Sequence, residues 1–97
     1  MEGTLRELIA DSKSLRWHDW IYVEPGPLTL ETRFALQTEQ GQNMGDLRSL
    51  HPVADFWDIL KAWSEWRAGR QPNEEQALRA IAYYDKRDAF IGTDLEP

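Results

Sequence analysis

Three carboxylates at helical spacing are the residues of this 97-residue chain best placed to do chemistry. Asp55 and Asp58 share one side of a predicted helix, and Glu65 continues that side one or two turns further on. Acidic side chains in such an arrangement could hold a cation or act as a general acid and base. The alternative is a solvated helix face on which Lys61 pairs with Asp58 and with Glu65. Even then, the face is a negative ridge that could meet a basic partner.

No other set of residues forms a recognisable reaction centre. His18 lies beside Asp19, but no serine or cysteine nucleophile accompanies the pair in a recognisable setting. The other histidine, His51, precedes the proline of a predicted helix start. The sequence has no cysteine, no metal-binding histidine spacing and no glycine-rich phosphate loop. We therefore predict that the protein is not an enzyme and needs neither a cofactor nor a metal.

Tryptophans are the second group of candidate binding residues, and three of the five lie in segment 52–69. This segment is predicted to form an amphipathic helix with a wide apolar arc, which makes it the core helix of the fold. Trp63 falls within the arc, whereas Trp57 and Trp66 fall at its opposite edges. Partly covered tryptophans often anchor interfaces, so the two edge residues are candidates for contact with a partner. Trp17, which flanks a predicted strand, is in a similar position.

Elements before the core helix can be predicted from the local pattern. Thr4 and Glu7 form a capping box that begins a helix over about 5–13. Residues 18–23 are aromatic and β-branched, and residues 28–38 alternate between apolar and polar, so both are predicted strands. A short segment with two prolines and a glycine separates them, which favours antiparallel pairing of the two strands.

After the second strand comes a polar loop that bears glycines, and it carries the candidate binding residue Asp46. The core helix 52–69 follows, with a proline in its first turn and a glycine at its end. Asn73 is predicted to cap the next helix, which packs antiparallel to the core helix. That helix either continues to about residue 86 or gives way to a bend after which 89–91 dock as a short strand. We favour docking, because the side chains there need burial.

The predicted architecture is a single α+β domain over 1–97 with a frayed tail at 92–97. It has an N-terminal helix, a small antiparallel sheet, and two antiparallel helices packed on the sheet. The sheet has two strands, or three if 89–91 form one. Because the N-terminus has no signal-peptide run and no stretch is long enough for a membrane span, we expect a soluble, cytoplasmic protein without membrane partners.

The acidic balance of the chain limits its choice of partner. The formal net charge is −6, and both halves contribute to it without a basic patch. Affinity for nucleic acid comes mainly from lysine and arginine on phosphates, so a nucleic-acid partner is not expected. A basic protein is the better electrostatic match, although a charge of this size also serves solubility alone.

The segments TLRELIADSKSLRWHDWIYVEPGPLTLET and YYDKRDAFI cover about the first third and the last tenth of the chain. They resemble a family of small bacterial proteins of unknown biochemical function. The pattern is a TLRELL-type helix, a Trp-x-x-Trp-hydrophobic-Tyr strand and a Tyr-Tyr…Asp-Ala-Phe-Ile close. Members of the family resemble the small acidic immunity proteins that accompany bacterial toxins, including toxins of contact-dependent inhibition. The motifs are structural and specify no activity. The analogy to immunity proteins rests on size, acidity and the lack of cysteine and of a reaction centre, and it transfers no catalytic residue.

Two functional hypotheses follow. The first is a cytoplasmic immunity-type inhibitor that binds and neutralises a bacterial toxin, with a basic nuclease domain as the expected target. The predicted contact residues are Asp46, Asp55, Asp58, Glu65, Trp57 and Trp66. The alternative is a structural or adaptor module that self-associates through a sheet edge or a tryptophan-rich surface, which leaves a homodimer open.

Overall fold

A computed structural model describes residues 2–38 and 45–92 as an α+β fold built on one sheet. In chain order the elements are β1 (Glu2–Thr4), α1 (Leu5–Ala10), a 3-10 helix (Ser12–Ser14), β2 (Trp20–Val23), β3 (Arg33–Gln37), β4 (Arg48–Pro52), α2 (Val53–Glu65) and α3 (Glu74–Arg87). The four strands are all antiparallel, in the order β1-β3-β2-β4. The α+β class is therefore confirmed, and the sheet has more strands than the two or three that were predicted.

The centre of the sheet is the predicted pair of β2 and β3. Trp20 pairs with Gln37 at one end and Val23 pairs with Phe34 at the other. Ile21, Val23 and Phe34 are buried in the main hydrophobic core, which lies between the sheet and the helices. The aromatic and β-branched residues that predicted β2 are therefore packed in the core, as is usual for such residues in strands.

Residues 28–32 were predicted to belong to β3, and this part of the prediction is wrong. Their carbonyl groups face α1 instead of a neighbouring strand: the N–H of Leu5 donates to Thr32 O at 2.9 Å, and the N–H of Arg6 donates to Leu30 O at 3.0 Å. The first N–H groups of a helix have no partner within the helix. The segment before β3 supplies those partners, while the apolar residue Leu30 is still buried.

The two edge strands of the sheet were not predicted. β1 is a three-residue strand with Gly3 at its centre, and β4 is polar and ends at Pro52. Pro52 is therefore the cap of α2 and does not lie in its first turn. Backbone carbonyls of the loop before β2 complete this cap, since the N–H of Val53 donates to Asp19 O at 2.8 Å.

Helix α2 is the core helix, as predicted, although it is shorter than the predicted 52–69. It buries one continuous apolar stripe, made of Val53, Phe56, Ile59 and Trp63. The helix ends at Glu65, and a turn follows in which Ala68 and Gly69 have φ of 58° and 82°. Gly69 has the left-handed backbone that was predicted for it, but it lies in the turn after the helix and not at the helix end itself.

Helix α3 has the predicted cap, and its end at Arg87 agrees with the alternative of a helix to about residue 86, whereas the favoured short strand at 89–91 is wrong. The N–H of Gln76 donates to the Asn73 side chain at 2.8 Å, and the Gln76 side chain accepts from the Asn73 N–H at 3.0 Å. The helix reaches Arg87 and is followed by docking of 89–91 without a strand. Ile91 is 4% exposed, so its side chain is buried although 89–91 are not part of a β-strand. The predicted frayed tail falls almost entirely on residues that the structure does not describe.

Candidate functional site

An exposed tryptophan at the end of α2 is the starting point of the candidate site. Trp66 is 53% exposed, and its ring meets the ring of Phe90 edge-on, with centroids 6.1 Å apart and planes at 79°. The two rings line a shallow depression together with the side of α2 that carries Asp58 and Glu65. An exposed indole beside carboxylates combines apolar contact area with negative charge, which suits a cationic partner.

The aromatic surface continues from Trp66 into the interior. The ring of Phe90 stacks on Tyr84 at 5.6 Å, and Tyr84 meets the imidazole of His51 edge-on at 6.0 Å. Beyond this, the imidazole is stacked at 6.4 Å from Phe56 in the core. Because each ring is supported by the next, the exposed indole stands at the end of a packed row.

Carboxylates surround the middle of this row. Burial raises the pKa of the Tyr84 hydroxyl, and the negative charges of Asp55, Asp88 and Asp58 raise that pKa further. The three carboxylates, which come from both α2 and the end of α3, therefore act on one phenol. We call this surface the acidic aromatic face; it consists of Asp55, Asp58, Glu65, Trp66, Tyr84, Asp88 and Phe90.

Three of the predicted contact residues on this face come from the ridge of α2. Lys61 pairs with Glu65 at 3.9 Å, as predicted, in an exposed i,i+4 pair. The predicted pair between Lys61 and Asp58 does not form, and within the described residues neither Asp58 nor Asp55 has an ion-pair partner. Their negative charge is therefore available to an external cation.

The other two predicted contact residues lie elsewhere. The indole N–H of Trp57 donates to the carbonyl of Ser12 at 2.7 Å, so this ring ties α2 to the short 3-10 helix. It lines a different depression from the one beside Trp66. Asp46 is exposed in the turn before β4, and β4 runs for five residues, about 17 Å, between this turn and α2. The structure does not bring Asp46 or Trp57 together with Trp66.

Three residues of the face, namely Tyr84, Asp88 and Phe90, were not predicted from the sequence. All three lie in the segment YYDKRDAF, where aromatic and acidic residues alternate in small groups. That mixture indicates a surface that is both aromatic and acidic. It does not indicate which other helix or strand contributes to the same surface. The packing of α3 against α2 makes the connection.

His51 lies beneath the face and is 4% exposed. Its Nδ1 is 3.2 Å from the Pro52 carbonyl oxygen, while its Nε2 has no hydrogen-bond partner among the described residues. Burial lowers the pKa of the imidazole, and the Pro52 carbonyl and the charges of Asp55 and Asp85 oppose this effect only in part. The ring is therefore neutral near pH 7, and it packs as a core residue.

A metal ion is a poor match for this surface. In the ranges 2–38 and 45–92, no three histidine, aspartate or glutamate side chains are grouped closely enough to hold one. The carboxylates of the face are spread along α2 and the end of α3. Such a spacing suits a larger cationic group, such as a basic side chain with its own hydrogen-bond donors.

Comparisons with protein-family models, with curated proteins and with solved structures gave no match to this chain. The properties of the candidate site therefore follow from its own geometry. Its two main features are the exposed indole of Trp66 and the carboxylates of Asp55 and Asp58, which have no ion-pair partner in the ranges 2–38 and 45–92.

Proposed function

We propose that the protein is an immunity-type inhibitor that binds a basic toxin domain through the acidic aromatic face. The observation that carries this proposal is the exposed Trp66 beside Asp58, which has no ion-pair partner among the described residues. Interface hot spots are enriched in tryptophan, which contributes most when neighbouring contacts exclude water from it. The surrounding carboxylates add a charge preference to that anchor.

A nuclease domain is the expected class of toxin because of its own charge. An enzyme that cleaves nucleic acid must present lysine and arginine side chains to phosphates. A negatively charged protein can occupy that surface, and the complementary charges accelerate the encounter between the two proteins. A net charge of −6 on 97 residues is consistent with this mode of inhibition.

The test is capture followed by neutralisation. The purified protein is immobilised, exposed to a lysate of its host and washed at rising salt, and the retained proteins are identified. Each retained protein is then produced alone and together with the inhibitor in a sensitive strain. The proposal predicts a basic protein that is toxic alone and harmless with the inhibitor, and it is wrong if no retained protein is toxic.

Charge variants then test the face itself. Replacing Asp55, Asp58 and Glu65 by their amides should weaken toxin binding by at least about tenfold, because desolvated charge pairs contribute strongly at interfaces. The matched control makes the same change at three exposed acids that lie outside the face, namely Glu2, Asp11 and Glu75. Equal affinity of the two triple variants for the toxin would remove the face from the proposal.

A self-associating module is the second candidate. It is favoured by the edge position of β1 and by the exposure of Trp17, which is 64% exposed on the loop before β2. Exposed strand edges and indoles are both common sites of association between copies. Sedimentation velocity over a wide concentration range decides this point, since a strict monomer throughout excludes self-association.

A further inference from the structure

We propose that the depression beside Trp66 binds an arginine side chain of the partner protein. The inference rests on the function proposed above and goes further, because it names the chemical group that this part of the face accepts. The depression has a volume of about 310 Å³ and is open to solvent on one side. Its lining residues are Asp58, Lys61, Ala62, Glu65, Trp66 and Phe90.

The two rings of the depression have the arrangement that a flat cation needs. Trp66 and Phe90 meet at 79°, so a guanidinium stacked on one ring has its edge directed at the other. Stacking on an aromatic face is favourable for arginine because its charge is delocalised over a weakly hydrated plane. A lysine ammonium is compact and strongly hydrated, and it gains less from the same corner.

The end of α2 already uses this contact within the protein. The guanidinium of Arg67 lies 4.4 Å from the ring centroid of Trp63, and that of Arg70 lies 5.5 Å from it. Trp63 is buried and already has these cations, whereas Trp66, one turn further, has no cation over its ring among the described residues. An arginine of the partner protein would stack on the Trp66 ring in the same way that Arg67 stacks on the Trp63 ring within the protein.

Carboxylates complete the site. Asp58 has no ion-pair partner in the described part of the chain, so both of its oxygens can accept from the parallel N–H groups of a guanidinium. Glu65 shares its charge only with Lys61, in a pair at 3.9 Å between two exposed side chains. Exposed pairs of this kind are weak, so an incoming arginine can compete for Glu65.

Trp17 provides a natural comparison within the same protein. It is more exposed than Trp66, but it is followed by His18 and preceded by Arg16, whose Nη2 lies 2.7 Å from the His18 ring nitrogen Nε2. A cation of the chain's own, Arg16, therefore lies close to this indole, and the nearby Asp19 carboxylate lies 4.0 Å from the same His18 nitrogen. If exposure of an indole were enough for binding, a cationic probe would bind at Trp17 and at Trp66 alike. The proposed arginine site predicts that only Trp66 responds to the probe.

The experiment compares two peptides of equal charge, one of six arginines and one of six lysines, titrated into the full-length protein at physiological salt. The side-chain N–H signal of Trp66 in the NMR spectrum, assigned with a Trp66→Phe variant, reports occupancy. We expect the arginine peptide to bind about threefold to tenfold more tightly and to shift the Trp66 signal more than the Trp17 signal. Equal dissociation constants for the two peptides would overturn the proposal.

Three variants make the test specific. Trp66→Leu and Asp58→Asn should each abolish most of the preference for arginine over lysine, whereas Trp17→Leu should keep it. Thermal unfolding of each variant verifies that it is folded before it is titrated. An unchanged preference in Trp66→Leu would show that arginine binds elsewhere.

The outcome is separable from that of the proposed function. A preference for arginine at Trp66, together with failure to find a toxic partner, keeps the site and removes the immunity role. Neutralisation of a toxin, together with equal binding of the two peptides, keeps the role and removes the arginine site.

Discussion

His51 is buried between β4, α2 and α3, with its ring packed against Phe56 and Tyr84. One ring nitrogen lacks a partner among the described residues, and burial lowers the pKa of the imidazole. A buried polar group without a hydrogen bond has a cost, and a buried cation costs more. The folded state therefore prefers the neutral ring more strongly than the unfolded state does.

This preference predicts a pH dependence of stability. The unfolded chain takes up a proton at His51 near pH 6.5, whereas the folded protein does so only at lower pH. The contribution of His51 to the free energy of unfolding is constant above about pH 6.5. Below that pH it falls, by up to about 1.4 kcal/mol per pH unit, until the lowered pKa is reached. Urea unfolding between about pH 5 and pH 8 measures the slope.

Carboxylates also lose their charge in acid, so the slope must be assigned with variants. His51→Gln should have a flatter dependence than the native protein in this window, even though it is less stable throughout. His18→Gln is the control, because His18 is on the loop before β2 and is part-exposed. The assignment to His51 is wrong if its variant retains the native slope.

The helices were predicted better than the strands. Helix α2 has an apolar stripe with period 3.6, and α3 has the Asn73 cap, and both signals are local. β1 and β4 have neither a clear alternation nor a high β-propensity. β1 forms because it can pair with the outer edge of β3, and β4 forms because it can pair with the outer edge of β2. Such pairing depends on residues distant in sequence, which a local pattern does not contain.

The end of α2 offers a matched pair of substitutions. The N–H of Gly69 donates to Ser64 O at 2.8 Å, which is the bond of a Schellman ending, and the residue before it, Ala68, has φ of 58°. A left-handed alanine is strained by roughly 1 kcal/mol, whereas glycine is not. Ala68→Gly should therefore raise the free energy of unfolding by about 0.5–1 kcal/mol.

Gly69→Ala should have the opposite effect and lower the free energy of unfolding by about 1 kcal/mol. A Cβ at Gly69 would meet nothing within 4 Å, so the loss would come from its φ of 82° and not from a clash. Urea unfolding of both variants gives the two changes. Changes of the same sign would show that backbone conformation does not control this helix end.

The candidate site joins parts of the chain that are distant in sequence. The acids of α2 could be proposed from their spacing, because spacing along one helix is a local property. Phe90 and Asp88 could not be assigned to the same face, since their position depends on how α3 packs on α2 and where the chain goes afterwards. The sequence therefore predicted about half of the face, namely the half that belongs to one element.

Arg67 links the segment that carries Phe90 to the end of α2. Its guanidinium donates to the carbonyl of Trp63 at 3.0 Å and to those of Ile91 and Gly92 at 3.5 and 3.4 Å. These bonds join the end of α2 to the segment that carries Phe90. Together with the buried Ile91, this side chain closes the fold between the turn after α2 and the last described residues.

Replacing Arg67 should loosen this closure. Arg67→Met keeps the length of the side chain but removes its donors, which should lower the free energy of unfolding by about 1–2 kcal/mol. It should also speed chymotryptic cleavage after Phe90, because the segment would leave the surface more often. Arg70→Met is the control, since Arg70 also lies over the Trp63 ring but makes no side-chain hydrogen bond among the described residues. If the two variants are cleaved equally fast, the bonds of Arg67 to the carbonyls do not hold the segment in place.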